Sequence, residues 1–206
     1  IAVIFFNSIK PQVELGTNPL GFPSEIRLMN YYDAFVKGNY ARVFLNSSIL
    51  VLGTLFVCIP LSGLAAFSLA ILSPKGSTTV VIGLYLLVGL SIPAQLYILP
   101  LFIMWKYLHL NNSYLGLIII YSALNAPFAV FLMRSYMIQL PIELFDAAKI
   151  DGAGPLKLFT SIAVPLSWPV FLTSGLIVGL AVWNEFLFAI TFISVSYTHL
   201  TLPTKA

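Results

Sequence analysis

The sequence predicts an all-α fold, a polytopic membrane helix bundle, and three observations carry that expectation. Only 8% of the 206 residues are charged and 59% are apolar, whereas a soluble domain carries about 25% charged residues. Mean hydropathy is +0.97, and a soluble chain of this size has no way to hide so much apolar surface. The charged residues are also spaced so that long charge-free runs lie between them. A net charge of +3 is too small and too scattered to point to nucleic acid. The single cysteine, Cys58, forms no intrachain disulfide, so the fold is independent of redox compartment.

The elements follow from the gaps. Val43 to Pro74 contains no charge, nor does Gly76 to Trp105 or Leu158 to Asn184, and between Tyr107 and Met133 only His109 can carry one. A helix needs about 20 apolar residues to cross a bilayer, so each gap holds one span, over 47–72, 79–103, 114–133 and 166–185. The apolar run 1–6 reads as the tail of a further span that begins upstream, which brings the expected number to five. It lacks the basic flank of a signal peptide. Helix is the expected state because amides in hydrocarbon must bond within their own segment. The runs are too continuously apolar for the alternation of a membrane β-barrel. Pro60, Pro93, Pro100, Pro127 and Pro169 are expected to kink helices that their neighbours support. Gly53, Gly63, Ala65, Ala66 and Gly89 suit close backbone approach.

Four connections are expected: a loop over Asn7–Asn46, a tight turn at Ser73–Ser77, a short aromatic link at Trp105–Ser113 and a longer loop over Arg134–Pro165. Connections alternate sides, which sets Lys10, Arg27, Lys37, Arg42 and Lys106 against Lys75, Arg134, Lys149 and Lys157. That balance gives no orientation. Residues 1–194 form the expected transmembrane domain. Residues 195–206 (VSYTHLTLPTKA) change character abruptly. They resemble the read-through translation of a transposon sequencing adapter and are expected to be non-native. In the rival reading Thr201-Leu202-Pro203 belongs to the protein.

The 134–165 loop is the informative segment. Pro141 is suited to start a helix, where its missing N–H costs nothing, and Gly152 to end one in the left-handed conformation. Between them, at 100° per residue, Glu143, Asp146 and Lys149 share one side, with Leu144, Phe145, Ala147 and Ala148 on the other. Ile142 and Ile150 interrupt the polar side. Asp146 and Lys149 are spaced for a weak ion pair, and the two alanines leave a smooth surface for another protein. Physical chemistry alone leaves two further readings of such a helix: it lies in the membrane interface, or it caps the bundle.

The spacing Asp146-Ala147-Ala148, three residues, Gly152, nine residues, Ile162-x-Val164-Pro165 resembles the EAA loop of permeases from binding-protein-dependent ABC importers. The family pattern is Glu-Ala-Ala, three, Gly, nine, Ile-x-Leu-Pro, and this chain departs from it with Asp146 for Glu and Val164 for Leu. Pro141 to Leu144, Ile150 to Ala153, Asn46-Ser47, Asn112 to Leu117 and Trp183 to Phe186 are similar to the carbohydrate, maltose-type branch. The resemblance implies six spans, of which about five are present here. It implies a sugar permease in the bacterial inner membrane that works with a cytoplasmic ATPase dimer, a second permease subunit and an extracytoplasmic solute-binding protein. In that scheme Glu143, Asp146, Ala147, Ala148, Asp151 and Gly152 form the ATPase-coupling segment, and the 134–165 loop is cytoplasmic.

Polar residues inside spans are candidates for the translocation pathway. Gln95, Asn125, Asn184 and Glu185 offer amides and a carboxylate, and Tyr97, Tyr121 and Trp183 offer aromatic faces for a hydroxyl-rich solute. The alternative places Asn184 and Glu185 at the membrane surface and bonds Asn125 to a neighbouring helix. The sequence offers no nucleophile–base pair, Cys/His cluster or Gly-x-x-x-x-Gly-Lys run, so catalytic residues, metal sites and cofactors are not expected. His109 reads as interfacial. An ion-coupled transporter would place charges deep in the spans, where Glu185 is the nearest acidic group. A polyol or phosphodiester permease is the closer alternative.

Overall fold

The computed structural model describes residues 2–74 and 76–193; the expected foreign tail at 195–206 lies outside them. Every element among the described residues is helical. The chain divides into two compact units, residues 1–47 and 48–206.

The first unit holds α1 (Ala2–Ser8), α2 (Gln12–Thr17) and α3 (Met29–Lys37), and the start of α4 (Tyr40–Phe67). The expected loop over Asn7–Asn46 is therefore largely helical. Side chains staple its irregular parts. Asn30 donates through Nδ2 to the carbonyls of Ser8 (3.1 Å) and Lys10 (2.8 Å). The buried Lys10 ammonium donates to the Asn18 carbonyl at 2.7 Å, and the Glu14 carboxylate accepts from Ser24 N–H and Oγ. Such local polar bonds do not show in hydrophobic periodicity, which is why the segment reads as a loop.

In the second unit α4 ends in a π-helical turn, Ser68–Leu72. Then come α5 (Ser77–Ser91), a 3₁₀ turn (Ala94–Tyr97), α6 (Ile98–Tyr107), α7 (Tyr114–Met137), α8 (Ile142–Ile150) and α9 (Pro155–Leu158). A second π turn (Phe159–Ala163), α10 (Val164–Leu166), α11 (Trp168–Trp183) and α12 (Leu187–Phe192) complete it. Tyr40–Leu72 and Tyr114–Met137 are each long and apolar enough to cross a membrane. They contain the expected spans 47–72 and 114–133.

Of the other two, 79–103 is broken in its middle and 166–185 is α11, with a bend at its start. Ser77–Ser91 and Ala94–Tyr107 meet at 91°, so 79–103 is no straight helix. Pro93 has no N–H to donate, and its ring drives the preceding residue out of the helical region; Ile92 has φ −92° and ψ 123°. Pro100 falls in the first turn of α6, where a missing donor is harmless. Pro155–Leu166 meets Trp168–Trp183 at 80°. Thus the end of the expected 134–165 loop is itself helical, and Pro169 sits at the start of α11.

Two clusters of buried side chains fill this unit. One gathers Phe67, Met133, Met137, Phe145, Phe159 and Phe171 around α8. The other gathers Trp105, Ile120, Tyr121, Val178, Phe188 and Phe192 near the start of α7 and the end of α11. In lipid, close packing rather than water exclusion holds such helices together. Gly63 is an example: a Cβ there would fall 2.6 Å from the Phe171 ring.

Candidate functional site

The coupling segment is α8. Pro141 occupies its N-cap with φ −60°, and Glu143 lies in the first turn, where the helix dipole favours a carboxylate. The helix ends in two interlocking bonds, Gly152 N–H to Lys149 O at 3.0 Å and Ala153 N–H to Ala148 O at 2.9 Å. Gly152 has φ +79°. This is the Schellman arrangement, and it turns the chain sharply after nine helical residues.

The helix is fixed by one side chain. Phe145 is fully buried, with its ring 6.1 Å from that of Phe67, and Ala148 packs beside it. Leu144 and Ala147 are exposed, as are Glu143, Asp146 and Asp151, and Ile150 is 88% exposed, whereas Ala148, the second alanine of the expected smooth surface, is half-buried against the core. A nine-residue helix with one deep anchor buries a narrow stripe, not half its circumference. The expected ion pair is present, with Lys149 Nζ 2.9 Å from Asp146 Oδ1. Both groups are exposed, so it is worth well under about 1 kcal/mol.

The pathway candidates are not brought together. Between α5, α6 and α7 lies a cleft of about 590 Å³ walled by Tyr85, Gly89, Tyr97, Trp105, Ala123 and Pro127. Of the nominated residues only Tyr97 lines it. Gln95 is exposed in the 3₁₀ turn. Asn125 donates to Tyr121 O at 2.8 Å and Asn184 to Leu180 O at 2.9 Å, each within its own helix. Trp183 is exposed at the end of α11.

Glu185 has a different setting. Its Oε2 accepts from the Tyr121 hydroxyl at 2.8 Å. Phe188 N–H donates to both carboxylate oxygens, at 3.1 and 3.0 Å, and Ala189 N–H lies 3.4 Å from Oε2. The carboxylate thus caps α12 and ties it to α7. An acidic residue just ahead of a short apolar run is a helix-start signal. Its partner 64 residues earlier in the chain has no sequence signal.

Residues 38–203 match the family described as binding-protein-dependent transport system inner membrane component. The chain is 31% identical over 201 residues to a putative ABC transporter permease protein of Caldicellulosiruptor sp., covering 97% of this chain and 72% of that one. It is 33% identical to the diacetylchitobiose uptake system permease protein NgcG of Streptomyces coelicolor, with 89% and 60% covered. To the arabinooligosaccharides transport system permease protein AraQ of Halalkalibacterium halodurans it is 34% identical, with 95% and 70% covered. With this match over most of its length, its spans and its helical fold, the chain belongs to the binding-protein-dependent ABC permease family of integral membrane proteins.

Proposed function

We propose that the chain is the membrane-spanning subunit of an ATP-driven importer that moves a sugar handed over by an extracytoplasmic binding protein. A cytoplasmic ATPase dimer drives it through α8, and a second permease subunit completes the pathway in the bacterial inner membrane. The observation that carries this reading is the exposed face of α8. Ala147 and Ile150 point outward on a helix that Phe145 anchors firmly. A rigidly held helix transmits displacement, whereas a flexible loop absorbs it. Relatives named for oligosaccharide uptake support a sugar as the solute. A permease named for uptake of osmoprotective compounds, 28% identical, keeps a solute other than a sugar as the second reading.

In this scheme Glu143, Asp146, Ala147, Ala148, Asp151 and Gly152 are the coupling residues. Gln95, Tyr97, Asn125, Trp183 and Asn184 stay candidates for the pathway. Residues 195–206 are read as foreign sequence, although the family match runs to residue 203. An uninterrupted reading frame in long genomic reads would return them to the protein.

Ala147→Asp tests the coupling. The side chain is exposed, so the variant is expected to reach the membrane at wild-type levels while uptake of a labelled oligosaccharide falls to background. Undiminished uptake would refute the assignment.

A further inference from the structure

Two arms of the molecule flank the coupling segment. The C-terminal end of α7 leads into α8, and α11 departs from the far side of the same loop. The two helices pack against each other. Tyr121 lies 16 residues before the end of α7, which at 1.5 Å per residue is about 24 Å from the end that leads into α8. Glu185 lies just past the distal end of α11. The hydroxyl–carboxylate bond between them therefore joins the arms at the end remote from α8. The same carboxylate caps α12, whose Phe188 and Phe192 stack at 6.0 Å and whose Phe188 meets the Tyr121 ring edge-on at 6.4 Å.

We propose that Glu185 is a positioning residue, not a sugar ligand: it latches α12 to α7 so that a displacement of α8 along α7 and α11 is carried to α12. This rests on the coupling role proposed for α8. A carboxylate has about four lone-pair positions, and Tyr121, Phe188 and Ala189 already direct donors at this one. Little acceptor capacity is left for a solute hydroxyl. The cap is also needed, because α12 has six residues and its first amides have no partner inside the helix. The link Asn112 N–H to Phe192 O at 2.8 Å holds the other end of α12 to the segment that precedes α7. Both ends of α12 are thus fastened to the α7 side, and Glu185 is the fastening that α11 carries.

Hydrogen exchange of the purified complex with its ATPase, with and without ATP and vanadate, tests this. In the nucleotide-free state Glu185→Ala is expected to speed exchange at the Phe188 and Ala189 amides by about tenfold or more, since a bond to a charged acceptor is lost. Glu185→Gln keeps an acceptor and is expected to restore most of the protection. Tyr121→Phe keeps the cap and removes only the tether. It is expected to leave that protection in place but to reduce the change at α12 that nucleotide trapping causes in the wild type, since the Asn112–Phe192 bond remains; an undiminished change would refute the tether. The α8 amides serve as the internal reference. If α8 responds to trapping and α12 does not, the latch is refuted and the coupling role stands. If neither responds, the coupling role falls and the latch falls with it. Unchanged α12 exchange in Glu185→Ala would refute the cap itself.

Discussion

The two ends of α7 are built on opposite principles. At its C-terminal end α8 is pinned by one buried ring and leaves Leu144, Ala147 and Ile150 uncovered. At its N-terminal end the polar groups of Tyr121 and Glu185 are spent on each other and on the amides of α12. Under the coupling role proposed for α8, the apolar side chains left open at the first end are the ones the ATPase would cover. An end whose hydrogen bonds close internally is made to hold a conformation. Substitutions at the first should therefore act through a partner, and those at the second through the chain itself.

The largest effect that would break this contrast is at the anchor. Phe145→Ala removes a fully buried ring, a change that costs about 3–5 kcal/mol in well-packed cores. The amount of protein in the membrane fraction and its melting temperature should both fall. Unchanged stability would mean that α8 is not held as described. Gly152 comes next. No atom lies within 4 Å of a Cβ built there, yet φ is +79°, so the cost of a side chain is one of backbone conformation alone. Gly152→Val should lose about 1–2 kcal/mol and most transport, whereas Gly152→Asn, which tolerates the left-handed region, should keep much of both. Equal loss in the two variants would point to a steric clash instead. Tyr121→Phe sharpens the other end: membrane level unchanged and uptake velocity reduced, with the solute concentration for half-maximal uptake unmoved. The smallest effect is Lys149→Gln, below about 0.5 kcal/mol because both partners are exposed.

Much of this was legible beforehand, and the failures have physical causes. Runs of charge-free residues located α4, α7 and α11, because lipid permits little besides helix. The same logic missed the break at Ile92–Pro93, since composition cannot tell a proline that kinks from one that ends a helix. Pro127 sits within α7, which continues past it; Pro93 precedes a 3₁₀ turn instead. At α8 the spacing placed Gly152 and the Asp146–Lys149 pair correctly. Which residue of the apolar side anchors the helix was not legible there, because burial of Phe145 depends on the Phe67 ring from another helix. Glu185 is a pathway candidate in the sequence, beside the alternative of a surface position, because an acidic residue near a span is costly unless it serves a function. Its partner on another helix comes from tertiary packing, which no local pattern records.

The central claim is that α8 is the surface by which an ATPase moves the spans. Cys58 is buried within α4, so Ala147→Cys would place an accessible thiol on that surface. A short bifunctional cross-linker applied to the intact complex should join residue 147 to the ATPase subunit. Reaction of that thiol with a membrane-impermeant reagent added from outside the cell, and no cross-link to any ATPase, would contradict the account.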